Sequence, residues 1–477
     1  MTDEVNLLDV TRGTVVAPAG CGKTHCIGEA LARHSGPEPV LVLTHTNAGV
    51  VALRGRMDRA GVPRKAYRLS TIDGWAMRLI SLFPGRSAHR PEILDIASPG
   101  SDYPRIREAA YGLLNSGCVS DVIHASYAHL IVDEYQDCSI RQHAVVCALA
   151  ELLPCCLLGD PMQAIFGFGN DQLPHWTNDV CSAFPIEQEL GTPWRWVNAN
   201  AQPLGEWLLD ARAKLLAGKS IDLRHSDAAV TWIELDGTGD HQRRLQAARV
   251  RPSQRSGRVL IIGDSKSPDS RYRIATQTPG AVIVEKVDLE DLVEFSGTFD
   301  PLATNALDQL AHFAKSVMVN TDTNKLLRRV ESLRRGTARK EASDAERVAV
   351  EFAIQPSHQG AASLLSAISA QGGVRSHRPA VLKACLKALN LCSATEGLTF
   401  HEAAKQIREQ NRVVGRPLPK RAIGSTLLLK GLEAECSVIL DADSLDARNL
   451  YVAMTRGSQS LTICASSPVL HRDAPTF

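Results

Sequence analysis

Aromatic residues are scarce in this 477-residue chain, at 5% Phe, Trp and Tyr together. A single aromatic beside a polar motif therefore carries more weight than usual. Neither sign of charge is in excess: 53 Lys and Arg against 52 Asp and Glu leave a formal net charge of +1. Only the binding face of a nucleic-acid protein needs to be basic, so this balance argues neither way. No apolar run approaches the roughly 20 residues that span a bilayer, so no membrane partner is expected. The N-terminal stretch MTDEVNLLDV lacks the basic flank of a secretory leader. None of the 12 cysteines stands in a C-x-x-C pair, which removes the common zinc-knuckle and iron–sulfur spacings. Free, buried thiols in a reducing cytoplasm are the expectation.

What is present is ordinary globular composition, with 44% apolar and 22% charged residues. The length is enough for two to four domains. Thr14-Val15-Val16 reads as a short strand running into the Gly-rich APAGCGKT at 17–24, with a helix over 25–34. Val40 to Leu43, His129 to Val132 and Cys155 to Leu158 read as buried strands, and each runs into small or acidic residues. A helix with Val50, Leu53 and Met57 on one face follows the second strand. Strands alternating with helices indicate an α/β fold with parallel sheets, whose ligands bind at the C-terminal strand ends. A later set of strands is expected at 231–235, 258–263, 436–440 and 460–464, interrupted by a largely helical stretch from 288 to about 413.

Ala19, Gly20, Cys21, Gly22, Lys23 and Thr24 form the strongest single signal. Two glycines let backbone N–H groups turn inward around phosphate oxygens. Lys23 supplies a point charge for the β- and γ-phosphates, and Thr24 a hydroxyl for Mg²⁺. The pattern asks for Gly six positions before the lysine, where Ala17 stands. Asp133 and Glu134 follow the strand LIV at 130–132. Asp133 is placed to hold the metal and Glu134 to orient or deprotonate water. The bland alternative, two solvated carboxylates in a loop, fits poorly with the apolar strand before them.

Asp133-Glu134-Tyr135-Gln136-Asp137 resembles the Walker B motif of superfamily 1 helicases of the UvrD/Rep type. Further blocks resemble the same family in the same order: VLVLTHTN at 40–47, LSTIDGW at 69–75, LGDPMQAIF at 158–166, LGTPWR at 190–195, KGLE at 430–433 and LYVAMTR at 450–456. The resemblance implies two RecA-like P-loop motor domains that use ATP and Mg²⁺ to step along single-stranded DNA, in the family's usual 3′-to-5′ direction. It implies the first motor over 1–187, with a reduced insertion at about 80–125. The second motor would span 188–287 and 414–477, with a helical insertion at 288–413. It implies that Gln163, Arg195 and Arg456 contact the γ-phosphate, that Glu433 binds the ribose and that Trp194 stacks on the adenine. Thr46, Asn47 and Thr71 would meet the DNA backbone, and Phe168 would stack on a base. For each of these a packing or surface role is the alternative.

The chain departs from the family in three places. No glutamine precedes Gln136, so the adenine-reading glutamine upstream of the P-loop is missing. This leaves the choice of ATP over other nucleotides open. Gly169 stands where arginine is usual, and Leu427 where histidine is usual. The short insertions resemble the compact helicase subunits of bacterial anti-phage systems such as Gabija, which act beside a separate nuclease. Two roles are weighed: a helicase that unwinds duplex DNA, and a regulatory ATPase or DNA-end sensor of a nuclease complex. A non-catalytic module with a fossil ATP site fits poorly with intact Lys23, Asp133, Glu134, Gln163, Arg195 and Arg456. The basic stretch KLLRRVESLRRGTARK at 325–340 reads first as a solvated face.

Overall fold

The computed structural model describes residues 6–96, 98–166, 172–254, 256–286, 288–413 and 418–477. The fold is mixed α/β with two six-stranded sheets. The chain divides into two compact bodies, residues 1–234 with 442–477, and residues 235–441.

The first body is built on β1 (Arg12–Val16), β2 (Val40–Thr44), β3 (Tyr67–Thr71), β4 (His129–Asp133), β5 (Cys155–Gly159) and β6 (Ile186–Glu189). They lie in the order β3-β2-β4-β5-β1-β6, and every neighbouring pair is parallel. Side chains alternate across a strand, so each buried run serves two cores. Leu41, Leu43, Leu130, Val132 and Leu157 face one. Val40, Val42, Ile131, Cys156 and Leu158 face the other. Each fully buried aliphatic side chain contributes roughly 1.5–3 kcal/mol, so the central strands fix the register.

The segment between Trp75 and β4 folds into the same core. Ile106 and Leu113 of helix Pro99–Asn115 and Ile123 of helix Ser120–Ser126 pack with Leu130 and Val132. This body also holds the antiparallel pair β7 (Ile221–Asp222) and β16 (Val469–Leu470), and the parallel pair β8 (Val230–Glu234) and β15 (Gly457–Ala465).

The second body contains β9 (Val259–Ile262), β10 (Ala281–Ile283), β13 (Arg421–Gly424) and β14 (Ala434–Ile439) as parallel neighbours in the order β10-β13-β9-β14. Its helices Glu290–Thr298, Ala306–Val317, Thr323–Arg334, Asp344–Ile354, His358–Ser369, Pro379–Ala394 and Phe400–Val413 surround one apolar core. A short antiparallel pair, β11 (Met318–Val319) and β12 (Arg375–Ser376), lies among them. In the basic stretch, Arg329 pairs with Glu346 and Arg335 with Glu331, so part of its charge is neutralised locally. No described helix is long and apolar enough to cross a membrane.

Candidate nucleotide site

Strands β4, β5 and β1 are adjacent and parallel, so their C-terminal turns emerge side by side. Residues 17–24, 133–137 and 160–163 are brought together this way. Gly20 at φ 76° and Gly22 at φ 91° take the left-handed backbone that glycine permits. A Cβ on Gly20 would stand 2.5 Å from the Trp196 ring, and one on Gly22 would stand 2.9 Å from Trp194 Cδ1. Helix Lys23–Arg33 starts there and aims its free N–H groups at the turn. Ala17, at the position of the missing glycine, donates its N–H to Gly159 O at 2.8 Å. Ala19 N–H donates to the Tyr451 hydroxyl at 2.9 Å. Burial pushes the Cys21 thiol up to about 12, so it stays protonated.

Lys23 Nζ lies 3.2 Å from Asp133 Oδ1 and 2.5 Å from Glu134 Oε1. Burial pulls the ammonium down, but attraction to both carboxylates outweighs it and holds Lys23 above the ordinary lysine range. Burial raises the Asp133 carboxyl against the pull of Lys23, and the neighbouring Glu134 adds to the rise. Glu134 sits at φ 54°, a left-handed conformation that non-glycine residues adopt rarely and that clusters at functional sites.

Behind these groups lies a buried network. Gln136 Nε2 donates to Glu134 Oε2 at 2.5 Å, and Gln136 Oε1 accepts from Asp160 N at 3.1 Å. Asp160, 0% exposed, accepts from Gln163 Nε2 at 3.1 Å and from Arg212 Nη2 at 3.0 Å. Arg212 Nη1 also reaches Glu189 at 2.7 Å. Burial works against the Arg212 charge, but its attraction to and hydrogen bond with Asp160, together with Tyr451 and Glu189, outweigh burial and hold the guanidinium above its ordinary value.

Arg195 N–H donates to Gly20 O at 3.0 Å, and Arg195 Nη1 donates to Thr455 O at 2.6 Å. Trp194 is 41% exposed. Helix Ala447–Met454 reaches the P-loop through Tyr451 and packs on Pro161–Gln163. Arg456, just after it, is 2% exposed and donates to Val452 O at 2.7 Å and Thr455 Oγ1 at 3.1 Å. Lys23, Asp133, Glu134, Gln163, Trp194, Arg195 and Arg456 thus all belong to the first body. Glu433 is exposed in the second body, in the turn before β14.

The oxygen donors suit Mg²⁺ held together with a nucleotide. Asp133 Oδ1 is buried, and the Lys23 ammonium 3.2 Å away occupies the side on which a cation would sit. Thr24 Oγ1 accepts from Arg56 Nη1 at 2.5 Å. One carboxylate and one hydroxyl, completed by phosphate and water oxygens, is an ordinary Mg²⁺ set. Among the described residues, no group of three or more His, Cys, Asp or Glu could hold a metal by itself.

Thr44 of β2 stands in register with Asp133 of β4 on one side and with Thr71 of β3 on the other. The same sheet edge therefore continues to Thr46, Asn47 and Thr71. Thr46 Oγ1 accepts from Gly49 N at 3.1 Å and Thr71 Oγ1 from Gly74 N at 2.9 Å, so both cap helices. A capping hydroxyl uses one lone pair and still has its O–H proton to donate. Asn47 is the exposed first residue of helix Asn47–Arg59. His45 packs on Phe166 at 5.6 Å between ring centroids. Phe168 lies outside the described residues.

Sequence reasoning gave no role to Gln136, Asp160, Tyr451 or Arg212. The first three stand inside motif blocks. Arg212 had one usable signal: it lies on the face of helix Gln202–Leu216 that buries Leu204, Leu208 and Leu215. A cation there requires a buried acid.

The family model described as UvrD/REP helicase N-terminal domain matches residues 101–176. No curated protein matches the chain. Among solved structures, the chain is similar to arterivirus nonstructural protein 10, a helicase in complex with DNA. The identity is 10%, with 96% of this chain and 61% of that chain covered at a TM-score of 0.36. It is also similar to the Pif1 helicase of Candida albicans, at 10% identity, 97% and 95% coverage and a TM-score of 0.41. The chain thus spans less than two thirds of the arterivirus protein. The segment that matches the UvrD/REP helicase N-terminal domain model holds both the Asp133–Asp137 strand end and the Gly159–Gln163 turn.

Proposed function

We propose that this chain is an ATP-driven, single-stranded DNA translocase or helicase. The observation that carries this reading is the Lys23–Asp133–Glu134 cluster, set against a glycine-built phosphate turn and the buried Gln163–Asp160 pair. The family match over residues 101–176 supports it.

In this reading the backbone N–H groups of residues 20–24 cradle the phosphates. Lys23 leaves the two carboxylates for the β- and γ-phosphates, which frees Glu134 Oε1 to accept a proton from the attacking water. Thr24 and Asp133 would hold Mg²⁺, which would supply positive charge to screen the phosphates. Trp194 packs beside Gly22 and offers an exposed indole face to the base. Glu433 would serve the ribose. Arg195 and Arg456 complete the charge around the γ-phosphate, and Arg456 must first turn away from Val452 O. Gln163, set by Asp160, reads the γ-phosphate and links it to the DNA edge. There Thr46, Asn47 and Thr71 would present hydroxyl and amide groups to the backbone, and the resemblance gives Phe168 the role of stacking on a base. Alternating grip by two motors would then step the chain along one strand, in the 3′-to-5′ direction that the resemblance implies.

A second reading is a regulatory ATPase or DNA-end sensor that unwinds weakly beside a separate nuclease, in cytoplasmic anti-phage defence. It is favoured by the segment before β4, which is spent on the first body's own core. The test compares ATP turnover with single-stranded DNA, duplex DNA and RNA. Stimulation by single-stranded DNA with strand separation supports a helicase, and stimulation without it supports the second reading. No response to any nucleic acid overturns both.

A further inference from the structure

We infer that Gln136 is a positioning residue that aims the Glu134 carboxylate and ties it to the Asp160–Gln163 turn. This rests on the ATPase reading above. Gln136 is buried, and the orientation of its amide is determined by its partners. Asp160 N–H needs an acceptor and finds Gln136 Oε1 at 3.1 Å, which leaves Nε2 facing Glu134 Oε2 at 2.5 Å. A flipped amide would set oxygen against carboxylate and N–H against N–H.

Space for this arm is provided by Gly159, where a Cβ would stand 2.9 Å from Gln136 Oε1. Glu134 carries its carboxylate from a left-handed backbone position at φ 54°, so its side-chain direction depends on outside contacts. Lys23 holds Oε1 and Gln136 holds Oε2. When phosphates draw Lys23 away, Gln136 keeps its hold on Oε2. The same amide continues through Asp160 to Gln163 Nε2 at 3.1 Å. A shift of Gln163 on phosphate release would therefore move the base.

The test uses the full chain with saturating single-stranded DNA, and the variants Gln136→Met and Gln136→Glu beside wild type and Glu134→Gln. Gln136→Met keeps the length and loses the donor, so kcat should fall about 10- to 100-fold while KM for ATP stays close to wild type. Gln136→Glu keeps the acceptor for Asp160 N–H and sets a second carboxylate against the base. Repulsion between the two carboxylates should push Glu134 out of place, so kcat should fall further than in Gln136→Met with KM for ATP again close to wild type. If the buried carboxylate prevents folding, Gln136→Met carries the kcat-against-KM test alone. Folded variants with wild-type kcat overturn the inference. So does a parallel change in kcat, KM and melting temperature, because that is a packing effect. A wild type that turns over no ATP overturns the ATPase reading and this inference with it. An active wild type and an inactive Glu134→Gln, with unaffected Gln136 variants, overturn this inference alone.

Discussion

Replacing Arg212 with leucine tests the buried network behind the candidate nucleotide site. The guanidinium is 6% exposed and gives Asp160 Oδ1 contacts at 3.0 and 3.3 Å, while Asp160 itself is fully buried. At about 3 Å and an effective dielectric near 20, Coulomb attraction between unit charges is roughly 5 kcal/mol. Removing one partner of a buried pair costs about 3–5 kcal/mol in practice, because the other charge is stranded. Asp160 keeps hydrogen bonds from Met162 N and Gln163 Nε2, so the lower end applies. A loss near 3 kcal/mol corresponds to a fall of about 6–12 °C in the melting of a body this size. The assay is a thermal melt of the full chain that follows the first body's transition. Asp160→Asn in the Arg212→Leu background removes the stranded charge and should restore part of the loss. An Arg212→Leu protein that melts within about 2 °C of wild type would refute the claim that this pair is a structural element of the site.

Thr46→Ala and Thr71→Ala should each cost about 1 kcal/mol in urea unfolding, with serine restoring the loss, since both hydroxyls cap helices. Unchanged stability in the alanine variants would remove the capping assignment. Burial, with help from Arg378 and Arg375, lowers His377 from 6.5 to about 4. Its folded pKa is thus below the unfolded one. As pH falls from about 6.5 towards 4, the unfolded chain takes up a proton that the folded chain refuses, and stability is lost. His377→Gln should flatten that part of the melting-temperature profile, and parallel profiles would contradict the assignment.

The sequence reveals those elements whose physical demands are local. Central strands such as Val40–Thr44 and His129–Asp133 are continuous apolar runs because both faces are covered. The edge strand Ile186–Glu189 is mostly exposed and reads IEQE, so no apolar signal marks it. β10 and β13 are only three and four residues long, too short for a pattern. The glycine turn at 20–22 is legible because its backbone geometry restricts residue type at Gly20 and Gly22. The Arg212–Asp160 pair joins residues 52 apart, and nothing in local spacing announces that partnership. Thr46 and Thr71 were legible as polar residues at strand ends. Their capping role follows from the helices that start beside them, a signal readable as a threonine just before an amphipathic run.

The most direct measurement is ATP hydrolysis by wild type and Lys23→Ala, with and without saturating single-stranded DNA. Wild type should turn over ATP and accelerate several-fold on the DNA, and Lys23→Ala should do neither while melting as a folded protein. Turnover by folded Lys23→Ala at the wild-type rate would contradict the assignment of this strand-end cluster as the nucleotide site.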